Sequence, residues 1–338
     1  MTSQVIGVPS VPESSTTLAP VSALSVDGLE HKIQAACASL VGKPFLLSHT
    51  GATTLTRCPF RFALEYRLCL RAGGVAEAPA IGTCAHSGCE AMRATGAIDA
   101  ALHAAEAEAM RLYPEGGEAY ERVSNMAAVL VGGYAIHLFR ADLRSVHSEV
   151  GLCWPLAGRC LAKGRADGVV FRIGKPALLY ELKTTAETLD AKEAELRCSY
   201  QLPLYAWLLE RQRKVKVAGA VVEILKKPVK AGEGAVKKGT AESWQEWRVR
   251  VAHEYAANPD RYFRRINIPR KELDSAAAVK DLRRVAAAIR VYDRGGYPRL
   301  RGQCSGPFGP CQYKHACWEG DLSRYEARPY EFDGGKAN

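Results

Sequence analysis

Three short segments rich in β-branched and aromatic residues follow one another near the middle of this chain, and they constrain its fold more than any other feature. They read EVGLCWPL, CLAKGRADGVVFRI and ALLYELKTT, and Gly or Pro residues separate them. Such composition is typical of β-strands. A helix is predicted from about Ala191 to Lys214, and VKVAGAVVEILKK after it predicts a further strand. We therefore expect an α/β core, with a short mixed sheet flanked by helices, over residues 145–225.

The segments on either side of this core are predicted to be mainly helical. A helix capped by Ser48 or Thr50 is expected to contain Cys58 in its interior. The remaining helices are expected at about residues 80–92, in Ala- and Glu-rich sequence up to 144, and at 242–255 and 273–292. The expected organisation is a disordered leader (1–25), a single domain (48–320) divided into a helical part (48–145), the core (145–225) and a basic helical part with a cysteine-rich end (226–320), and a tail (321–338).

The basic charge of the chain is concentrated in one segment. The formal net charge is +10, but residues 211–301 hold 23 Lys and Arg against 10 Asp and Glu, a balance of 23 − 10 = +13, so the rest is slightly acidic. A segment of this kind attracts polyanions such as DNA through counterion release. A solvated surface that serves solubility explains the same charge, and the two interpretations stay open here.

The compartment and the membrane relation also follow from composition. No run of eighteen apolar residues occurs, and the first residues lack the charged and apolar regions of a secretory signal, so a cytoplasmic protein without membrane spans is expected. Eleven cysteines in such a protein indicate thiols or metal ligands, because reducing compartments keep disulfides open.

The strongest catalytic signal is Asp167, followed by Glu181 and Lys183 in LLYELKTT. Two residues apart on a strand, Glu181 and Lys183 project from one face, and Asp167 can meet them from the neighbouring strand. Two carboxylates there would hold Mg²⁺ or Mn²⁺, and the lysine would orient the attacking water and offset charge on a phosphate. A turn-capping Asp167 beside an exposed Glu181–Lys183 ion pair is the alternative, since this pattern also arises by chance.

The order of motifs resembles the RecB-like branch of the PD-(D/E)xK nucleases, which includes the AddB nuclease domain, the iron-sulfur nucleases of CRISPR adaptation and many phage proteins. The resemblance covers residues 48–318. The matching landmarks are Gly82 and His86 in IGTCAHSGCEAM, Glu149 in HSEVGL, Asp167, Glu181 with Lys183, and Gln201 with Tyr205 in QLPLY. It implies a restriction-endonuclease-like core with a helical N-terminal part and an iron-sulfur C-terminal tail.

The resemblance also assigns supporting roles. It implies that His86 joins the acidic residues at the metal, and that Gln201 and Tyr205 help to bind DNA and support the active site. Each has an ordinary alternative: His86 as a core histidine, and Gln201 with Tyr205 as an amphipathic stripe one helical turn apart. Glu149 either contacts the metal through water or stands at the start of a strand.

The function implied is a metal-dependent DNA nuclease, expected to be an exonuclease, in recombination, repair or phage DNA processing. The chain contains no G-x-x-x-x-G-K-[ST] phosphate-binding loop, so unwinding would require a helicase or recombinase partner. A non-cleaving DNA-binding protein, or an accessory subunit of a helicase or recombinase complex that retains the fold, is the alternative. Oligomeric state, cleavage polarity and strand preference are not encoded in any motif.

The Gly- and Pro-rich end RGQCSGPFGPCQYKHACWEG places Cys304, Cys311 and Cys317 close together in sequence. The resemblance implies that Cys58, in RCPFRF, supplies a fourth ligand and that the four thiolates hold a structural 4Fe-4S cluster. Zinc is the chemical alternative, since four thiolates also form its tetrahedral site. The other cysteines are expected to be packing residues: Cys37, Cys69, Cys84, Cys89, Cys153, Cys160 and Cys198.

Overall fold

The computed structural model describes residues 26–73, 75–140, 146–172, 174–228, 242–306 and 309–327. The leader predicted at 1–25 lies outside the described residues, as does the end of the tail. The chain divides into two compact units. The first contains residues 1–73, 155–163 and 280–334, and the second contains residues 74–154, 164–279 and 335–338.

The helices and strands predicted for residues 145–225 occur in the predicted order, and the structure contains further short elements that were not predicted. The helices are α1 (Val26–Leu40), α2 (His49–Arg57), α3 (Pro59–Phe62), α4 (Glu77–Thr95), α5 (Ile98–Leu112), α6 (Gly117–His137), α7 (Leu189–Cys198), α8 (Gln201–Arg213), α9 (Trp244–Ala257), α10 (Pro259–Tyr262), α11 (Ser275–Gly295) and α12 (Lys314–Glu319). The strands are β1 (Phe45–Leu47), β2 (Leu70–Ala72), β3 (Val146–Ala157), β4 (Cys160–Arg172), β5 (Lys175–Thr185), β6 (Val217–Lys226), β7 (Phe263–Pro269), β8 (Ser305–Gly306), β9 (Gly309–Pro310) and β10 (Tyr325–Ala327).

The second unit is built around a mixed sheet with strand order β4-β5-β6-β7, and β3 pairs with β4. β5 and β6 are parallel, whereas the β4–β5 and β6–β7 pairs are antiparallel. A parallel pair needs a crossover connection, which α7 and α8 supply. The predicted α/β class with a mixed sheet and flanking helices is therefore confirmed. β7, from the sequence FRRINIP, is an edge strand that the sequence analysis did not predict.

Helices α4, α5 and α6 pack with the sheet to form the core of the second unit. The helices approach closely because small residues line their contacts: a β-carbon added at Gly88 of α4 would lie 2.5 Å from the Val131 side chain of α6. Ala101, Ala105 and Ala109 give α5 a buried face of the same kind. The tight packing fixes α4, and with it His86, relative to the sheet.

Two predicted helices are each broken into two. Cys58 does not lie inside a helix: it ends α2 and precedes α3, with extended backbone angles (φ −155°, ψ 106°). The cause is Pro59, because a residue before proline is forced out of the helical region. The predicted helix at 191–214 is likewise interrupted at Ser199, four residues before Pro203, whose ring would clash with that carbonyl in a continuous helix.

The first unit joins the N-terminal helices to the C-terminal end of the chain. β1 pairs in parallel with the first residues of β4, and β2 pairs with β10. A nearly buried ion pair links Arg67 to Asp293 at 2.8 Å, and the Tyr297 hydroxyl donates to the same carboxylate at 2.6 Å. Among the described residues, no helix has both the length and the apolar character needed to cross a membrane.

Candidate active site

The middle of β5 carries two charged side chains on one face. Glu181 and Lys183 lie two residues apart, opposite Val222 and Ile224 of the parallel strand β6, and the ammonium of Lys183 contacts a Glu181 carboxylate oxygen. Only 1% of Glu181 is exposed. A carboxylate this deeply buried in a central strand is costly unless a cation compensates its charge.

Asp167 of β4 reaches the same place. The antiparallel pairing of β4 with β5 begins at Gly168, which lies opposite Tyr180. Next to that pair, the Asp167 side chain accepts a hydrogen bond from the backbone N–H of Leu182 at 2.8 Å. A carboxylate thus takes the place of a backbone acceptor between the two strands. It follows that Asp167 is held rigidly beside the Glu181–Lys183 pair.

His86 of α4 and two residues of α8 complete the group. The His86 ring nitrogen Nδ1 lies 3.6 Å from the Asp167 carboxylate. Gln201 is the first residue of α8, and its amide donates to Glu181 at 2.5 Å and to the Tyr205 hydroxyl at 3.3 Å. The break at Ser199 described above is what places Gln201 at the beginning of a helix, directly over the strand.

Burial and mutual charge shift the titration of these groups. Burial raises the pKa of Glu181 to about 7; Lys183 opposes this rise and Asp167 adds to it. Burial disfavours the charged form of Lys183, but the carboxylates of Glu181 and Asp167 outweigh it and raise the lysine pKa. Burial lowers the pKa of His86, against the attraction of Asp167. At neutral pH the site therefore holds a charged lysine and a neutral histidine.

The donor set fits a hard divalent cation. One Glu181 oxygen, Oε2, is buried and has no hydrogen-bond partner among the described residues. No three His, Cys, Asp or Glu side chains of the described segments are close enough together to hold a metal by themselves. Mg²⁺, however, is usually bound by one or two carboxylates, with water and substrate phosphate as the other ligands. Asp167 and Glu181 supply those two carboxylates, and neutral His86 is placed to join them.

Glu149 is in a different environment. Its carboxylate is exposed and forms an ion pair with Arg165 at 2.6 Å, and its backbone has a positive φ of 54°. Positive φ is uncommon for a residue other than glycine and marks a local irregularity of β3. The contacts that join the other predicted site residues are those of His86, Asp167, Glu181, Lys183, Gln201 and Tyr205.

A second buried charged network lies behind the site, and the sequence analysis missed it. Glu223 of β6 is fully buried and accepts hydrogen bonds from Arg265 at 2.9 Å and from the Tyr180 hydroxyl. Arg93 of α4 donates to that hydroxyl at 3.0 Å. Side chains alternate along a strand, so Tyr180 faces away from Glu181. The sequence signal for this network was Glu223 itself, a single glutamate within the apolar run VVEIL.

The four cysteines of the predicted cluster lie in the first unit. Cys304 and Cys311 flank the β8–β9 hairpin, and the Cys311 N–H donates to the Cys304 carbonyl at 2.8 Å. Burial raises the pKa of Cys317 to about 11; Arg299 opposes this rise, and Cys304, Cys58 and Cys311 add to it. Within the described residues, however, no three of these cysteines are close enough together to hold a metal.

The remaining cysteines divide into three groups. Cys37, Cys84, Cys89 and Cys160 are buried, as expected of packing residues. Cys69 and Cys153 are partly buried. Cys198 is exposed at the end of α7, so its assignment to packing is wrong. It lies in the last turn of a short helix, and the buried residues of that helix are Leu189 and Leu196.

Comparison with models of protein families identifies the family of this chain. Two carboxylates beside a lysine could hold a divalent cation, and such a cation can activate water for hydrolysis. The chain matches the PD-(D/E)XK nuclease superfamily over residues 46–318. The protein belongs to this superfamily of nucleases.

Two other comparisons add no argument. A solved structure described as "Crystal structure of SSO0001" is 17% identical, with a TM-score of 0.31, and the match covers 78% of this chain and 85% of that one. Similarity at this level supports neither a fold nor a function. No curated protein matches the chain.

Proposed function

We propose that this protein is a metal-dependent deoxyribonuclease in which Asp167 and Glu181 hold Mg²⁺ or Mn²⁺. The observation that carries the proposal is the unpartnered Oε2 of Glu181, buried beside the Asp167 carboxylate and under a charged lysine. Such an oxygen costs free energy without a cation, and a divalent ion would compensate for it. Membership of a nuclease superfamily supports DNA as the substrate.

The bound cation would supply a Lewis acid and an activated water for attack on the phosphodiester. The residues of the chain prepare the site for that reaction. Lys183 stays protonated because two carboxylates raise its pKa, so its role is to offset negative charge on the phosphate and not to act as a base. His86 is neutral, since burial lowers its pKa, and it offers a ring nitrogen to the metal.

Gln201 and Tyr205 would act through Glu181. The Gln201 amide fixes one carboxylate oxygen, Oε1, which leaves Oε2 for the cation. Tyr205 in turn accepts a hydrogen bond from Gln201, and its ring rests against Gly164, where an added β-carbon would lie 2.4 Å from the Tyr205 Cε1 atom. We assign both residues to positioning of the metal ligand, and Gln201 also to contact with DNA.

The finer assignments rest on the resemblance to RecB-like nucleases. It supports exonuclease activity in recombination, repair or phage DNA processing, with a helicase or recombinase to unwind the substrate. It also supports a structural 4Fe-4S cluster on Cys58, Cys304, Cys311 and Cys317. The resemblance alone supports this cluster, because no three cysteines among the described residues are close enough together to hold a metal; zinc is the alternative.

The test is cleavage of end-labelled single- and double-stranded DNA by anaerobically purified protein with Mn²⁺ or Mg²⁺. Wild type should cut DNA, and EDTA should abolish cutting because it removes the metal. Lys183→Ala should slow cutting by about a hundredfold or more, because the negative charge of the transition state is no longer offset. Arg111→Ala, at an exposed site on α5, is the matched control and should cut normally. Folded protein that binds DNA and never cuts it would favour the accessory, DNA-binding alternative.

A further inference from the structure

Six of the fourteen arginines in the basic segment 211–301 form ion pairs with described residues. Those with a recorded carboxylate partner include Arg250 with Glu242 and Glu254, Arg264 with Asp190 and Glu193, Arg265 with Glu223, Arg270 with Glu210, and Arg284 with Asp281. Their partners come partly from outside the segment. The net charge of +13 therefore overstates what this segment presents to a polyanion.

Three cations at the end of α8 are different. Within the described part of the chain, the side chains of Arg211, Lys214 and Lys216 have no recorded carboxylate partner, and all three are exposed. Together with Trp154, Glu210 and Val215 they line a pocket of about 400 Å³. The single acid, Glu210, is held by Arg270 through two hydrogen bonds of 3.0 and 3.1 Å. The pocket is therefore positive, with an aromatic wall.

The local structure explains why the pocket exists. Lys214 ends α8 in the left-handed region (φ 53°), so the chain turns sharply before β6 begins at Val217. The Cys153 N–H donates to the Gln212 side chain at 2.8 Å, which ties β3 to α8 and holds the adjoining Trp154 in place. The Lys216 carbonyl is fixed by the Ala177 N–H at 2.8 Å. A pocket anchored by backbone contacts is preformed.

We propose that this pocket binds one nucleotide of a DNA strand, with the base on the Trp154 ring and the flanking phosphates at Arg211, Lys214 and Lys216. Aromatic stacking beside free cations is how proteins bind single strands without reading sequence. The inference rests on the proposed nuclease function, since it makes the pocket a second contact for the same substrate.

The fold sets the distance between the pocket and the catalytic face. Ala177 of β5 pairs with Val217 at the pocket end, and Glu181 lies four residues further along the same strand, or about 13 Å. Along α8, the rise from Gln201 to Arg211 is about 15 Å.

The experiment is equilibrium binding of fluorescent oligothymidylate, about twelve nucleotides long to span both contacts, in EDTA so that no cleavage occurs. Trp154→Ala should weaken binding by about fivefold or more, and Trp154→Phe, which keeps a ring, should restore most of it. The pair Arg211→Ala with Lys216→Ala should lower the salt dependence of log K by about 0.7 for each lost phosphate contact. These variants change surface groups, and thermal unfolding checks that each is folded.

The matched control is the pair Arg111→Ala with Arg261→Ala, which removes the same charge from exposed sites on α5 and α10. It should leave both affinity and salt dependence close to wild type. Equal losses from the two pairs, or unchanged binding by Trp154→Ala, would overturn the proposal. Competition by thymidine monophosphate at the concentrations at which the oligonucleotide competes would also overturn it, because the pocket would then take free nucleotides.

Cleavage assays separate this inference from the proposed function. If wild type does not cut DNA but its binding depends on Trp154, the nuclease assignment fails and the nucleotide pocket stands. If wild type cuts and Trp154→Ala binds and cuts normally, the pocket fails and the nuclease stands. When both hold, Trp154→Ala should raise KM by about the factor lost in binding, with kcat nearly unchanged, because the pocket is remote from the reacting bond.

Discussion

Replacing Glu181 by glutamine should abolish cleavage and, in the absence of metal, stabilise the fold. Burial and Asp167 raise the pKa of this carboxyl to about 7 from its ordinary value of 4.5, with the attraction of Lys183 already included. Between these values the folded state binds the proton that the unfolded state has lost, so stability falls as pH rises. At about 1.4 kcal/mol per pH unit, the loss is about 3 kcal/mol above pH 7.

The Glu181→Gln variant escapes this cost, since an amide does not ionise. In EDTA at pH 8 its free energy of unfolding should exceed that of wild type by about 3 kcal/mol. At pH 5 the difference should be less than about 1 kcal/mol. Mg²⁺ should remove most of this difference at pH 8, because it binds the wild-type carboxylate and adds about 2.7 kcal/mol at a hundred times its dissociation constant. Denaturant unfolding at the two pH values, with and without metal, measures each quantity.

Glu223→Gln is the matched control. Glu223 is buried to the same degree on the neighbouring strand, but Arg265 and Tyr180 already compensate its charge. Removing one partner of a buried pair typically costs about 3–5 kcal/mol, so this change should destabilise the fold. The reasoning is refuted if Glu181→Gln is no more stable than wild type in EDTA at pH 8, or if its gain is the same at pH 5.

Three more predictions concern other parts of the chain. Gly164→Ala should destabilise by about 1–3 kcal/mol and slow cleavage, because its β-carbon would lie 2.4 Å from Tyr205; Gly132→Ala, with nothing within 4 Å, is the control, and equal behaviour of the two would contradict the prediction. The Mn²⁺ concentration for half-maximal cleavage should rise about tenfold per pH unit below pH 7, since protons compete for the buried glutamate; a flat profile would count against this. Cys58→Ser should lose bound iron on elemental analysis and Cys198→Ser, at an exposed site, should keep it; iron in both would exclude Cys58 as a ligand.

Much of the candidate site formed by Asp167, Glu181 and Lys183 could be predicted because its geometry is local. The period of two along β5 places Glu181 and Lys183 on one face whatever the surroundings, and one strand connection brings Asp167 alongside. The helix break at Cys58 was also predictable, because Pro59 is a local signal that dictates the backbone of its predecessor. In both cases the deciding interaction spans only a few residues.

Long-range pairing could not be predicted in the same way. Whether Arg265 faces solvent or Glu223 depends on the register of β7 against β6, which no local pattern fixes. The same holds for Arg264, whose partners Asp190 and Glu193 lie over seventy residues earlier. A count of charges along the sequence cannot distinguish paired arginines from free ones, and the fold shows that Arg264 and Arg265 are paired.

The two buried glutamates of the central strands show how the fold separates stability from function. Glu223 has its charge compensated by protein groups, so it contributes to a fixed arrangement of β6, β7 and α4. Glu181 has one buried oxygen, Oε2, without a hydrogen-bond partner among the described residues. Glu223 is paired with protein groups on one face of the sheet, whereas Glu181 on the other face is not fully paired. This difference is expected where a cation from solution must complete the site at Glu181. Metal binding and folding of the second unit should therefore be coupled through Glu181, and a metal that stabilised Glu181→Gln as strongly as wild type would show that the cation binds elsewhere.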